Sequence, residues 1–385
     1  MLFIGAKGYP FTGCISRTMR VFFLYLTGFS LTGGIEKFNR SFLKALHELS
    51  VDGYMDADAC SSYDSTSDEK YFPRKRFKGF GGNRVFFTIY AMFAALRYDV
   101  LIVGHMNLAV IAVLVKRLKP SIRLVLITHG IEAWKTHTGI RLRLLQMADH
   151  ILSVSQFTKQ QILDMNPGIQ AEKIQIFHNT IDPYFAVPKQ FDKPAYLMQR
   201  YGLSDAVKVL LTVTRLSFSE KYKGYDNTIS VLPEVAAAVG QIRYFICGNP
   251  EKQEQKRIKE LIIDKKAAAY VQMPGFIRDE ELIDHYLLSD LFVMPSKKEG
   301  FGIVFIEALA CGRPVIAGSK DGSADALLQG ELGTLIDPDN TKELELAIIQ
   351  NLQKGNNAPL EMQEKVLQHF GFKQYKKRLQ HYLVG

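Results

Sequence analysis

The 385-residue chain has only four cysteines, at positions 14, 60, 247 and 311, with no CxxC pair and no regular spacing. That pattern writes neither a zinc ribbon nor a disulfide framework, and a reduced, cytoplasmic setting is the expectation. Long apolar runs are missing too. The longest candidates, residues 85–96 and 101–115, fall short of the roughly 18 to 20 residues a membrane-spanning helix needs, and the second contains His105 and Asn107. The first residues lack the basic lead and long apolar core of a secretory signal, so 1–18 reads as an amino-terminal tail ahead of the orderly pattern that opens at Met19-Arg20. Nine histidines include no HExxH and no close pair, and no P-loop, G-x-G-x-x-G or Ser/His/Asp grouping occurs. Hydrolase, kinase and dinucleotide readings therefore lack support. No repeat of 20 to 50 residues is present, and the only biased tract is the Ser/Asp-rich loop 61–69.

What is present is enough apolar residue, 47%, to exclude disorder, and a length that suits two or three domains. The net charge of +9 is unevenly placed. Residues 1–190 carry 23 Lys+Arg against 14 Asp+Glu, whereas 191–385 carry 25 of each. Apolar and β-branched runs of strand length alternate with stretches of helical period, a βαβα rhythm that argues for parallel sheets covered by helices. Strands are predicted at 21–26, 100–103, 124–128, 150–154 and 174–177, and Ile35, Phe38, Phe42, Ala45, Leu46 and Leu49 recur at helical spacing between the first two. This first unit spans 19–185. The rhythm then breaks around Pro183, Pro188 and Pro194, which gives a linker at 186–205. A second unit, 206–358, has predicted strands at 207–214, 243–247, 270–272, 291–294 and 314–317, and 359–385 forms an amphipathic helical segment able to cap either unit. The expected fold class is α/β: two Rossmann-like doubly wound domains facing a central cleft, with ligands at the carboxyl ends of the strands.

The densest feature runs from Pro295 to Pro314, where an apolar strand enters the loop Glu299-Gly300-Phe301-Gly302, then a short helix carrying Glu307 and stopped by Gly312, then another apolar strand. The glycines let backbone approach a ligand, and the free N–H groups of the helix favour an anion such as a diphosphate. Carboxylates at Glu299 and Glu307 suit sugar hydroxyls, so a sugar nucleotide would use the whole constellation. On spacing alone, a helix-terminal charge at Glu299 and a solvated Glu307 explain the pattern equally well.

The segment resembles the signature of retaining nucleotide-sugar glycosyltransferases of family four, the group 1 enzymes with the GT-B fold, in which a Glu, seven residues and a second Glu occur in a Glu-Gly-Phe-Gly context. Arg215 and the Lys223-Gly224 pair, Gly33-Gly34-Ile35-Glu36, Thr128-His129-Gly130, Ser153-Val154-Ser155, His178-Asn179-Thr180-Ile181-Asp182 and Pro274-Gly275-Phe276-Ile277 follow in the family's order. The resemblance implies transfer of a sugar from a nucleoside-diphosphate sugar to a carbohydrate or lipid-linked acceptor with retention, in cell-surface polysaccharide or glycan assembly. It implies that Arg215, Lys223 and Gly34 hold the donor diphosphate, that Glu299 with the N–H groups of Phe301 and Gly302 holds the donor sugar, that Glu307 binds the ribose, and that backbone at Phe276 and Ile277 meets the base. His129 would stand beside the donor sugar as a catalytic group with Glu299; from sequence alone a lone His beside an apolar strand reads sooner as a satisfied core histidine, and it is the resemblance that reverses this. No cofactor beyond the donor substrate is implied, and no metal.

Lys221 and Lys223 both flank Tyr222 in a loop that also holds Glu220, and either could meet the phosphate. Asp56-Ala57-Asp58 and Asp337-Pro338-Asp339 imitate a metal-holding Asp-x-Asp, but their contexts argue against that role. From Tyr71 to Tyr98 cations interleave with aromatics and no acid occurs, a pattern suited to an anionic membrane surface or to a core helix with a basic lead-in. Nothing else resembles a nucleic-acid module, and no nucleic-acid partner is expected. A sugar-nucleotide epimerase, a phosphorylase or an inactive sugar-nucleotide-binding subunit on the same fold are the competing readings.

Overall fold

A computed structural model of the chain describes residues 18–384. The expected tail, apart from residue 18, and Cys14 lie outside the described residues. Thirteen strands among the described residues form two sheets, both wholly parallel. The first contains β1 (Arg20–Tyr25), β2 (Asp56–Ser61), β3 (Phe77–Gly79), β4 (Val100–Val103), β5 (Arg123–Thr128), β6 (His150–Ser153) and β7 (Ile174–Ile176), ordered β3-β2-β1-β4-β5-β6-β7. The second contains β8 (Lys208–Val213), β9 (Ile242–Cys247), β10 (Val271–Gly275), β11 (Leu291–Met294), β12 (Val315–Gly318) and β13 (Thr334–Ile336), ordered β10-β9-β8-β11-β12-β13. Each order reverses direction beside its first strand, between β1 and β4 and between β8 and β11, and a doubly wound sheet opens a ligand crevice at that point.

β1 explains why such strands read as unbroken apolar runs. Val21, Phe23 and Tyr25 face one core, Phe22 and Leu24 the other, because helices cover both faces of a parallel sheet. β2, β3 and β13 were not predicted. In β2, Asp-Ala-Asp-Ala-Cys-Ser, only the small Ala57 and Ala59 enter the core beneath helix Gly34–Val51, while the Arg76 guanidinium reaches Asp56 (2.9 Å) and Asp58 (3.4 Å). β3 and β13 have three residues each, too few for a period to register.

The linker is more structured than expected. It holds helix Ala195–Arg200, pinned to helix Asp279–Leu288 by a two-pronged Arg200–Glu281 pair (3.1 and 2.9 Å) and by Tyr201 and His285 (2.9 Å). The carboxyl-terminal segment caps both units instead of one. Helix Pro359–Phe370 brings Phe370 to 5.4 Å from the Phe301 ring in the second domain, and helix Phe372–Val384 sets Tyr375 4.6 Å from Phe177 in the first. One continuous apolar core therefore joins the two domains.

Candidate active site

Between the switch points of the two sheets lies a cleft of about 1030 Å³, lined from both domains. Two helices begin at its walls without side-chain caps: Gly34–Val51, preceded by Gly33, and Ile303–Ala310, preceded by Gly302. Apart from the Phe305 N–H, which donates to the Gly302 carbonyl (3.1 Å), their first three N–H groups have no intrahelical acceptors, and such a terminus favours an anion. Gly302 has φ of 85°, which side-chain-bearing residues rarely adopt. Gly300 lies so close to the His129 carbonyl of the opposite domain that any Cβ there would overlap it.

Every charged group expected to meet the donor has a partner within the protein. Lys223 Nζ lies 2.5 Å from Glu299 Oε2; burial works against its ammonium, but the Glu299 carboxylate outweighs burial and holds the pKa above its ordinary value. Lys221 sits over the Phe218 ring and does not line the cleft, so Lys223 is the one directed to it. Arg215 is largely exposed and pairs with the half-buried Glu220 at 2.5 Å. Glu307 is almost wholly buried behind the cleft wall. Its carboxylate accepts from Tyr286 (2.9 Å) and pairs with Lys37, which reaches across from the first turns of helix Gly34–Val51. The Tyr286 hydroxyl is pushed well above its ordinary pKa by burial and by Glu307 beside it.

His129, at the carboxyl end of β5, packs edge-on against Phe38 at 4.8 Å. Its Nε2 lies 2.9 Å from the Gly104 carbonyl, which can only accept, so Nε2 carries the proton and Nδ1 keeps a lone pair. Burial pushes the imidazole down to about 4, against the Gly104 hydrogen bond. At neutral pH it is therefore an uncharged hydrogen-bonding group. His105 is likewise lowered to about 4, chiefly by burial. Beneath the Glu299 loop, Asp321 accepts from the Glu299 N–H (2.7 Å), the Ser323 N–H (2.9 Å) and the Ser296 hydroxyl (2.5 Å). Burial pushes its carboxyl up to about 6 despite those bonds. On the first domain, Asp64 accepts from the N–H groups of Gly28, Phe29 and Ser30 at 2.8 to 3.0 Å and so shapes the loop that leads to Gly33.

Comparison with known proteins agrees with this geometry. Residues 194–368 match the model for glycosyl transferases group 1, and residues 32–185 match that for glycosyltransferase family 4, which together take in most of the chain. The chain belongs to the group 1 glycosyltransferases of family 4. It is 31% identical over 239 residues to a GDP-mannose-dependent alpha-(1-6)-phosphatidylinositol monomannoside mannosyltransferase of Mycolicibacterium smegmatis, a match covering 59% of this chain and 60% of that protein. A protein of the same name from Mycobacterium tuberculosis is 33% identical over 150 residues, 37% of each chain. The chain thus matches less than two thirds of the length of these relatives. The crystal structure of Anabaena HepE in complex with UDP and glucose superposes with a TM-score of 0.71 at 21% identity, over 95% of this chain and 99% of that one. The fold is GT-B.

In this family member the cleft brings together Gly34, His129, Arg215, Lys223, Phe276, Ile277, Glu299, Phe301 and Gly302. Glu307 stands apart from that lining, behind Lys37. Phe301 offers only backbone, its ring being buried against Phe370 and His178. Sequence reasoning missed Lys37, Tyr286, Asp321 and Asn179. Lys37 directly follows the quoted Gly-Gly-Ile-Glu, and Asn179, a cleft-lining residue whose buried Oδ1 has no partner among the described residues, lies inside a quoted motif, so both were within reach. Tyr286 and Asp321 carry no local signal. The two Asp-x-Asp pairs face cations: Asp56 and Asp58 meet Arg76, and Lys320 and Lys297 lie at 2.6 and 2.5 Å from Asp337 and Asp339. Among the described residues no group of three or more His, Cys, Asp or Glu is placed to hold a metal ion.

Proposed function

We propose that this protein transfers a hexose from a nucleoside-diphosphate sugar to a carbohydrate or lipid-linked acceptor with retention of configuration, in cell-surface polysaccharide or glycan assembly. The observation that carries the reading is the meeting of Arg215, Lys223 and two uncapped helix N-termini at one cleft with the carboxylate of Glu299. A departing diphosphate needs cations and oriented N–H donors, and these groups supply them without a metal. The sugar hydroxyls fall to Glu299 and the N–H groups of Phe301 and Gly302, the ribose to Glu307 once Lys37 yields it, and the base to the backbone at Phe276 and Ile277. Gly34 closes over the diphosphate from the opposite domain.

The chemical step breaks the bond between the anomeric carbon and the diphosphate oxygen. The acceptor hydroxyl attacks from the same face, and its proton passes to the departing phosphate oxygen. Neutral His129 holds a sugar hydroxyl beside that centre. The mycobacterial relatives' names and the UDP and glucose of the HepE complex make GDP-mannose and UDP-glucose the first donors to try. The test is turnover of each with and without EDTA, with the anomeric configuration of the product read by proton NMR. A retained linkage formed in EDTA supports the reading; inversion, epimerised donor, or release of free sugar alone contradicts it.

The membrane partner belongs to this reading as well, on a narrower surface than the whole Tyr71 to Tyr98 stretch. Tyr71, Phe72, Phe87 and Tyr98 are buried. Helix Arg84–Ala95 instead turns Val85, Phe86, Ile89, Tyr90 and Phe93 outward, within about 140° at 100° per residue. Lys75 and Lys78 precede this helix in the chain and Arg97 follows it, all three are exposed, and no acid lies between Glu69 and Asp99. An apolar helix face with exposed cations before and after it in the chain suits an anionic bilayer. Sedimentation with phosphatidylglycerol but not phosphatidylcholine vesicles, lost in Phe86→Ser/Phe93→Ser, is the expected result; equal behaviour of the variant and the parent contradicts it. No helix of the described residues is long and apolar enough to cross a membrane.

A further inference from the structure

The two glutamates of the donor constellation are each held by a lysine, and the lysines differ in origin. Lys223, on Glu299, belongs to the same domain as its partner, whereas Lys37, on Glu307, comes from the opposite one. Both oxygens of the Glu307 carboxylate are taken. Oε2 accepts from the Tyr286 hydroxyl at 2.9 Å, Oε1 meets the Lys37 ammonium, and the side chain is 1% exposed. A ribose hydroxyl reaches Glu307 only when one of these partners leaves. Tyr286 is wholly buried in its own domain, its ring 5.9 Å from that of Phe292, so it stays. Lys37 lines the cleft and is 15% exposed, so it is the partner able to move.

The helix that carries Lys37 decides where the ammonium goes. The Lys37 N–H donates to the Gly33 carbonyl at 3.0 Å and closes the first turn of helix Gly34–Val51. Helical side chains lean toward the amino end, which here is the uncapped terminus at Gly34 on the cleft wall. The nearest carboxylate in that turn, Glu36, is one residue away, and helix neighbours one apart do not face each other. A half-buried ammonium turned off its carboxylate is costly unless a new counter-charge arrives, and a diphosphate at this terminus is such a charge.

Resting on the donor reading above, we infer that Lys37 is a further donor-binding residue that changes partner as the donor enters: the ribose hydroxyls replace its ammonium on Glu307, and the ammonium turns to the diphosphate. Recognition of the ribose and of the diphosphate is thereby coupled through one side chain. A nucleotide without ribose hydroxyls leaves Lys37 on Glu307, and so loses a cation at its diphosphate as well as the hydroxyl contacts. Because Lys37 and Glu307 lie on opposite domains, the exchange also replaces a direct bond between the domains by one made through the donor.

The experiment is calorimetric titration of the full chain, parent and Lys37→Met, with GDP and UDP and with their dideoxyribose analogues, which keep the diphosphate but lack both ribose hydroxyls. With whichever diphosphate the parent binds, Lys37→Met should lose about tenfold or more in affinity, the value of a charge-assisted contact. With the matching dideoxy analogue the same substitution should change affinity by no more than about twofold, since Lys37 does not reach that ligand. Lys37→Gln keeps a hydrogen-bond donor for Glu307, should show the same split, and serves if Lys37→Met fails to fold. Equal losses with both ligands would mark Lys37 as a structural group or a fixed charge and overturn the exchange, as would no loss with either. If the parent binds neither GDP nor UDP, the donor reading itself falls and the exchange falls with it.

Discussion

Replacing Lys37 by Met separates the two ends of the cross-domain ion pair. Glu307 is 1% exposed and Lys37 15%, so the two are not equivalent when left alone. Without Lys37 the Glu307 carboxylate stays buried, with only the Tyr286 hydroxyl donating to it at 2.9 Å. Stranding a buried charge costs about 3 to 5 kcal/mol; Tyr286 and the partial exposure of the pair place this case near 3 kcal/mol. The opposite change, Glu307→Gln, keeps an acceptor for Tyr286 and leaves an ammonium that can turn into the cleft and find water, for a loss of about 1 kcal/mol. In the double variant no charge is stranded, and its loss should be well below the sum of the two. Thermal and urea unfolding of the four proteins measures all of these differences. Equal losses in the two single variants, or Lys37→Met within about 0.5 kcal/mol of the parent, the range of an ordinary surface substitution, would refute the reasoning.

Three other outcomes follow from the same geometry. Lys223→Met should weaken nucleotide-sugar binding by at least about tenfold, because it removes a charge-assisted contact, whereas Lys221→Met, off the cleft, should leave calorimetric affinity nearly unchanged. Asp321 has its folded pKa near 6, above the unfolded value of about 4, so its contribution to stability is complete well below pH 4 and is lost as pH rises through 6; the unfolding free-energy gap between Asp321→Asn and the parent should move by about 2 kcal/mol in the variant's favour from pH 4 to 7. Gly300→Ala must push its new methyl against the His129 carbonyl, and should cost about 1 to 3 kcal/mol while lowering donor affinity by holding the domains apart; an unfolding temperature and a titration equal to the parent's would contradict that.

The strands that could be read in advance are those buried on both faces, such as β1 and β11, since a continuous apolar run survives without any partner being known. β2 could not be read, because its partly exposed aspartates break the apolar run, and the Arg76 and Tyr98 groups that meet them come from other segments. The same distinction applies to the site. Gly302, Glu299 and Arg215 are marked by their local motifs, but the pairing of Glu307 with Lys37 spans two domains, and the support of Glu299 by Asp321 spans two loops. The exposed face of helix Arg84–Ala95 was half visible: its apolar residues are plain in sequence, yet which of them turn outward depends on the sheet beneath. The carboxyl-terminal crossover had an amphipathic signature, but nothing local says that its two helices serve different domains.

The most direct test of the central claim is a thermal-shift screen of the parent against nucleoside diphosphates and their sugars, with EDTA and again with Mg²⁺. A ligand at 100 times its dissociation constant should stabilise the protein by about 2.7 kcal/mol. The account predicts a shift with one family of sugar nucleotides, equal with and without metal, and lost in Arg215→Ala and Glu307→Ala. Absence of any shift, or a shift that persists in both variants, would contradict it.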